Sequence, residues 1–307
     1  MSEKLIVGDV PADTLGTLID LLVKMKSGAI SLERVKRFVK EEEKSNLGIP
    51  IWLDEILDKE REYHKAFFNQ EFDLTDFQNT LLKYGRKTVK YWKKLGFKPC
   101  FLPHVSMELA DNYPGWKVKP IGFYYNSILQ RRILVDKNRE LSPVKKVELE
   151  GITVLADMRL KPMYDNGKQL WQDDYWLGSV IKRLRAQGKI RKYDSGPQFS
   201  RFGASADEIE KFIKPESEIA RKLKVPAESI RLERTIEANA ISQIYADTPR
   251  KNDGQTNTSV WYDEYFEGRD ARLFGGNSAD GGLARVSYAY QAGYHWYYWS
   301  FRLLAVL

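Results

Sequence analysis

Cysteine is almost absent from this chain of 307 residues. Cys100 is the only one, so no intrachain disulfide can form and the fold must hold by its core. Histidine is nearly as scarce: His64, His104 and His295 are the full set, and none stands at a metal-ligand spacing from Cys100 or another histidine. His64, at a helix end, reads as a surface residue, His104 as structural, and His295 as a candidate ligand contact. Asp157, Asp173 and Asp174 are scattered carboxylates, read as solvated or capping. Gly275-Gly276 and Gly281-Gly282 lack the spacing of a phosphate loop, and no G-x-S-x-G elbow occurs. No catalytic residue, metal ligand or cofactor is expected. No apolar run reaches membrane-spanning length, which excludes insertion by a helix. The first residues lack the basic segment, apolar block and small-residue cleavage site of a signal peptide. Cytosolic synthesis is expected; display on a virion or cell surface by another route is compatible with it.

Net charge is missing from the C-terminal end. The chain carries +7, yet residues 248–307 hold six basic and six acidic residues, so the whole excess lies before residue 248. A neutral end argues against binding driven by phosphate there. What that end has instead is aromatics. From Val286 to Phe301 no residue is charged, and half of the 16 positions are aromatic: Tyr288, Tyr290, Tyr294, Trp296, Tyr297, Tyr298, Trp299 and Phe301. Tyrosine among Gly, Ser, Asp and His is the composition of a recognition surface; a buried C-terminal core is the alternative that composition leaves open. Tyr288 and Tyr290 alternate as on a strand. Tyr297 and Tyr298 are adjacent and fit a loop or twisted edge better. If all the tyrosines were core, each hydroxyl would need a buried partner.

Residues 11–96 read as helices. Asp13 or Thr14 caps a first helix through Lys26, with Leu15, Leu18, Ile19, Leu22 and Val23 at core spacing. A second begins near Ser31 and closes at Gly48-Ile49-Pro50. A third carries Trp52, Ile56 and Tyr63. A fourth runs from Thr75 to Leu95 with Phe77, Leu81, Tyr84, Val89 and Trp92 inward. Its outer face holds Lys83, Arg86, Lys87, Lys90, Lys93 and Lys94, which is either a docking face for an acidic partner or nucleic acid or a solvated helix face. From Phe97 onward, prolines and glycines punctuate short apolar runs. Ile121–Tyr125, Ile133–Val135 and Ile152–Met158 suit strands. Trp171–Ala186, Ala206–Ile213 and Pro215–Leu223 suit helices, and Asp247–Ser259 a loop.

The end of the chain resembles the C-type lectin domain of the formylglycine-generating-enzyme type. That family closes with an R-G-G-S-W-like segment, an irregular run and a G-F-R strand. The counterparts here are Leu273-Phe274-Gly275-Gly276-Asn277-Ser278, the aromatic run, and Ser300-Phe301-Arg302-Leu303-Leu304. Val260-Trp261-Tyr262-Asp263-Glu264-Tyr265 resembles the family's V-W-E-W-like segment. The likeness is good over residues 255–307 and looser back to about residue 150. Within the family it is nearest to the variable proteins of diversity-generating retroelements of archaeal or archaeal-viral type, whose last few dozen residues are diversified at adenines.

The resemblance implies an α+β chain: a helical region over residues 1–98, then a C-type lectin-like domain over 99–307 with its variable region at about 273–307. Adenine-directed change in AAC-type codons can yield Ala279, Asp280, Leu283, Tyr288, Tyr290, Gly293, Tyr294, His295, Tyr297, Tyr298 and Ser300, which become the candidate ligand-binding positions. It cannot yield Trp or Gln, so Trp296, Trp299 and Gln291 read as fixed. Trp261, Trp296, Trp299, Phe301 and Arg302 are the expected scaffold. Arg302, in an apolar strand, is expected to bond backbone carbonyls or an acid such as Asp263 or Glu264, with a solvent-facing edge-strand arginine as the alternative. The family's copper-assisted cysteine oxidation needs a C-terminal cysteine pair, and none lies beyond Cys100. Calcium-dependent sugar binding needs Glu-Pro-Asn and Trp-Asn-Asp motifs, and neither occurs. The expected function is recognition of a protein or other macromolecule, with no role for nucleic acid. The alternatives are docking of nucleic acid or an acidic partner by the basic helix at 83–98, and an enzyme of the same fold with another chemistry.

Overall fold

A computed structural model describes residues 12–33, 35, 49–137, 139–171, 175–289 and 291–307. The chain divides into two compact units, residues 1–56 and 57–307. In the first lies α1 (Ala12–Lys26), which ends at Lys26 as its pattern predicts. Ile19, Leu22 and Val23, expected inward, are exposed on it. The second expected helix lies mostly outside the described residues. The next, α2 (Ile51–Phe68), begins in the first unit and continues into the second.

The larger unit takes in residues 57–98, expected to belong to a helical region over 1–98. It opens with the rest of α2 and with α3 (Thr75–Lys94). Phe77, Leu81, Val89 and Trp92 of α3 are buried, as the helical spacing predicts. Two sheets follow. The first has the order β1 (Phe97–Ser106), β4 (Glu148–Asp157), β10 (Leu303–Val306), β5 (Ile230–Leu232), all antiparallel. The second runs β3 (Glu140–Pro143), β2 (Ile133–Lys137), β6 (Ser259–Phe266), β7 (Arg272–Gly275), β8 (Val286–Ala289). A further strand, β9 (Trp299–Phe301), pairs with β6 and is parallel to it, with Trp261 opposite Phe301. The molecule is therefore α+β.

The chain passes from one sheet to the other at Arg302. Phe301 pairs with Trp261 in the second sheet, and Leu303 pairs with Leu232 in the first. The single closing strand expected over 300–304 is thus two strands in two sheets. One apolar cluster joins the sheets: Leu102, Val154 and Leu304 from the first, Val260, Leu273 and Val286 from the second. Helices complete it: Phe67 and Phe68 of α2, with α4 (Gly122–Leu129) and α8 (Thr235–Ile244). Between these lie α5 (Tyr175–Ala186), α6 (Ala206–Glu208, continued as a π turn over Ile209–Ile213) and α7 (Ser217–Leu223).

Two elements differ from expectation. Ile121–Tyr125 reads as a strand, yet α4 forms there; a short apolar run has too little length for its period to separate helix from strand. Helix α8 was not anticipated at all. Nine of its ten residues are buried, including Glu237 and Asn239. Thr235, Asn239, Ser242 and Gln243 share one face of it, but its flanks, Arg234 and Tyr245, are neither a start nor a stop signal. Among the described residues no helix is long and apolar enough to cross a membrane.

Candidate functional site

The C-terminal aromatics form one graded cluster. At its floor Trp261 of β6 is buried, with its indole N–H donated to the Ala204 carbonyl at 3.1 Å. Trp299 of β9 lies edge-on to it, 4.7 Å between centroids, and 3.9 Å from Phe274 of β7. Phe301 is fully buried. Parallel pairing of β9 with β6 is what brings these rings together, since it sets Trp299 beside Ser259 and Phe301 beside Trp261. Above Trp299 stand the outer rings. Tyr294, Trp296 and Tyr297 form a near-parallel stack, at 5.3 and 5.7 Å. Tyr298 packs edge-on to Tyr297 at 5.0 Å. Tyr294 is 40% exposed and Tyr297 42%, against 7% for Trp299. Trp296, assigned to the scaffold, is half-buried and forms the middle of the stack.

The loop that carries these rings is held by its backbone. Ala292 donates to the Asp270 carbonyl at 2.7 Å and accepts from the Asp207 N–H at 3.0 Å. The Tyr297 carbonyl accepts from the Tyr193 hydroxyl at 2.6 Å and from Gln169 Nε2 at 3.1 Å, and those two side chains bond each other. The Tyr298 carbonyl accepts from the Ser259 N–H and the Trp299 carbonyl from the Gly203 N–H. His295 adds a side-chain anchor: Nδ1 lies 2.8 Å from the Gly203 carbonyl and 3.5 Å from Glu208. It therefore holds the loop, a role the sequence did not suggest.

The remaining candidates divide. Ala279 and Asp280 are exposed on a turn capped by Asn277, whose side chain accepts from the Ala279 N–H at 2.9 Å. Burial raises the Tyr298 phenol above its ordinary value, and the neighbouring Tyr297 and the Asp280 carboxylate act in the same direction. Gly293 is exposed and Leu283 half-buried. Tyr288 lies flat on Phe266 of β6, 3.9 Å between centroids, and packs against the main core. Ser300 is fully buried beside Val260 and offers no surface to a ligand. Tyr290 lies outside the described residues. One residue that sequence reasoning missed joins the surface: Tyr164, 4.8 Å from Tyr297 and 6.3 Å from Tyr298. It comes from a loop over a hundred positions away, and nothing in its local sequence marks it.

Beneath the surface lies a buried ionic layer. Arg302 donates to the carbonyls of Asp157 at 3.0 Å and Arg159 at 2.7 Å, and grips both oxygens of Asp253 at 2.7 and 2.6 Å. The structural role expected of Arg302 is present, but the acid is neither Asp263 nor Glu264. Glu264 is engaged by Thr235 and Tyr124, and Asp263 lies 3.5 Å from Arg272. Asp157 is not solvated as expected; it is fully buried. Burial alone would raise its carboxyl, but Arg159, then Arg201 and Arg302, outweigh this and hold it well below the usual carboxylate range. The guanidiniums of Arg201 and Arg302 lie over the Trp171 ring, 4.4 and 4.5 Å from its centroid. Lys161 points its ammonium into four oxygens: the carbonyls of Asp253, Thr258 and Gly276 at 2.6–2.8 Å and Thr256 Oγ1 at 2.5 Å. Burial pushes that ammonium down to about 7, yet four acceptors around one nitrogen favour the charged form that can donate to them.

The other histidines and the cysteine lie elsewhere. His64 is buried, not at the surface, with Nε2 3.0 Å from the Phe101 carbonyl. His104 is exposed on β1, 3.2 Å from Glu148. Burial pushes the Cys100 thiol up to about 12, which leaves it unreactive. Asp173 and Asp174 lie outside the described residues. Among the described residues no group of three His, Cys, Asp or Glu could hold a metal ion. No family model, curated protein or solved structure matches the chain.

Proposed function

We propose that this is a ligand-binding protein, and not an enzyme, whose C-terminal variable region displays an aromatic surface to a protein or another macromolecule. In this reading residues 99–307 form a C-type lectin-like domain of the formylglycine-generating-enzyme type, and the chain is a variable protein of a diversity-generating retroelement of archaeal or archaeal-viral type. One observation carries the reading. The backbone from Ala292 to Trp299 is bonded to residues far away in sequence, while Tyr294 and Tyr297 project outward. Side chains there can change without loss of the bonds that position them. Tyr294, Tyr297 and Tyr298, with Tyr164, Ala279, Asp280 and Gly293 around them, make the contacts. Trp261, Trp299, Phe301 and Arg302 keep the frame, and His295 fastens the loop. Rigid aromatics of this kind bind at low entropic cost, and a few of them carry most of an interface's energy.

The DNA tests the assignment. A near-copy of the stretch coding for residues 273–307 is expected close to the gene, beside a reverse transcriptase, with differences confined to adenines. Differences spread over all four bases, or no copy at all, would refute it.

A further inference from the structure

The positive excess of the chain lies before residue 248, and much of it is laid along α3. Lys83, Arg86, Lys87, Lys90, Lys93 and Lys94 are all exposed. Among the described residues none of the six has a carboxylate within ion-pair distance. Neighbouring helices do not look like this. There Lys211 pairs with Asp207, Lys214 with Glu210, Lys222 with Glu218, and Arg183 with Glu216.

The helix is broken at Gly85, whose φ of 76° is non-helical, and runs on unbroken from Arg86 to Lys94. At about 100° per residue, Arg86, Lys87, Lys90, Lys93 and Lys94 fall in one stripe about 120° wide. Eight steps of about 1.5 Å make that stripe about 12 Å long, so its five charges recur about every 3 Å. Along the axis of a nucleic-acid duplex each strand places one phosphate about every 3.4 Å. Lys224, at the end of α7, widens the stripe: its ammonium lies 4.8 Å from the Tyr91 ring, and Trp92 holds the two helices together through the Leu223 carbonyl at 2.5 Å.

Complementing the helix dipole explains Lys93 and Lys94 in the last turn, but not Arg86, Lys87 or Lys90. A membrane-surface helix needs apolar side chains beside its cations. Here the apolar face is buried, and Leu82, the large apolar residue exposed on α3, precedes the break. Four of the five stripe residues are lysines, point charges that can follow a row of phosphates without a fixed fork geometry.

We propose that α3 is a second binding face, for nucleic acid, on which the stripe tracks the phosphate backbone without reading bases. This takes up the alternative that the sequence left open for the basic helix, and it does not depend on the aromatic surface.

The test is binding of the full chain to a labelled duplex of about 20 base pairs, followed by anisotropy between about 50 and 200 mM salt. The logarithm of affinity should fall with the logarithm of salt at a slope of about −4 to −5, near 0.9 per cation. The triple variant Lys87→Gln, Lys90→Gln, Lys94→Gln should cut that slope by about 3 and weaken binding at least about tenfold at low salt. Its melting curve should match the parent, because the three positions are exposed. Lys145→Gln, Lys189→Gln, Lys192→Gln, equally exposed elsewhere, should leave binding unchanged. The proposal is overturned if the control triple weakens binding as much, or if no binding is seen at low salt. It is also overturned if polyglutamate displaces the duplex at equal charge, which would point to an acidic protein, or if phosphatidylserine vesicles bind where the duplex does not.

Discussion

Arg302 stands where the chain leaves one sheet for the other, and its guanidinium ties that crossing to Asp157, Arg159 and Asp253. Its charge in an apolar run marked it as buried and paired. Its partner was not legible, because Asp253 is 49 positions away and two nearer acids were already engaged by other side chains. Arg302→Lys keeps the charge and loses the fork, so it should destabilise by about 1–3 kcal/mol in a denaturant melt. Lys161→Met keeps the length and removes the cation, the donor that four buried oxygens share. A loss of about 1–3 kcal/mol is expected for each carbonyl left unsatisfied. Asp157 gives a pH signature. Its folded pKa lies below its unfolded value, so its contribution is present above that unfolded value, about 4, and is lost as pH falls below it. Thermal melts should show stability dropping below about pH 4, and an acid limb unchanged in Asp157→Asn would contradict the assignment.

At the scale of elements the central division is between the loop that displays and the strand that supports. Tyr294→Ser with Tyr297→Ser should change stability by at most about 1 kcal/mol, as exposed substitutions do. Trp299→Ala should cost about 3–5 kcal/mol, since it empties a site between Trp261 and Phe274. Equal losses in the two melts would mean that display and support are not separated. The long amphipathic elements were legible: α3 matches its pattern, and the adjacency of Tyr297 and Tyr298 argued for the turn in which they sit. The enclosed elements were not. Helix α8 is flanked by Arg234 and Tyr245, neither of them a start or stop signal, α4 is too short for its period to show, and β9 is only three residues long. His295 and Ser300 show the same limit within the site. Both are permitted outcomes of adenine change, but only the tertiary structure turns His295 back onto Gly203 and encloses Ser300.

At the scale of the whole molecule, α+β was implied by the resemblance and agrees with the change in texture at Phe97, where helical spacing gives way to short runs between prolines and glycines. That two sheets exist, and that the chain switches between them at its last arginine, was not, because strand pairing is decided between segments distant in sequence. The outcome is a surface whose backbone is fastened from Asp207, Tyr193, Ser259 and Gly203 while its rings stay free at one edge. The account stands on that independence of side chain from backbone. The most direct measurement is a displayed library of the full chain with Ala279, Asp280, Gly293, Tyr294, Tyr297 and Tyr298 randomised through AAC-type codons. It would be scored for protease resistance and for enrichment on a panel of folded proteins, beside a library randomised at Trp261, Trp299, Phe301 and Arg302. The account predicts that most members of the first library stay folded and yield binders that differ in sequence, while the second collapses. Equal loss of resistance in both libraries, or a folded first library that enriches on none of the panel, would contradict it.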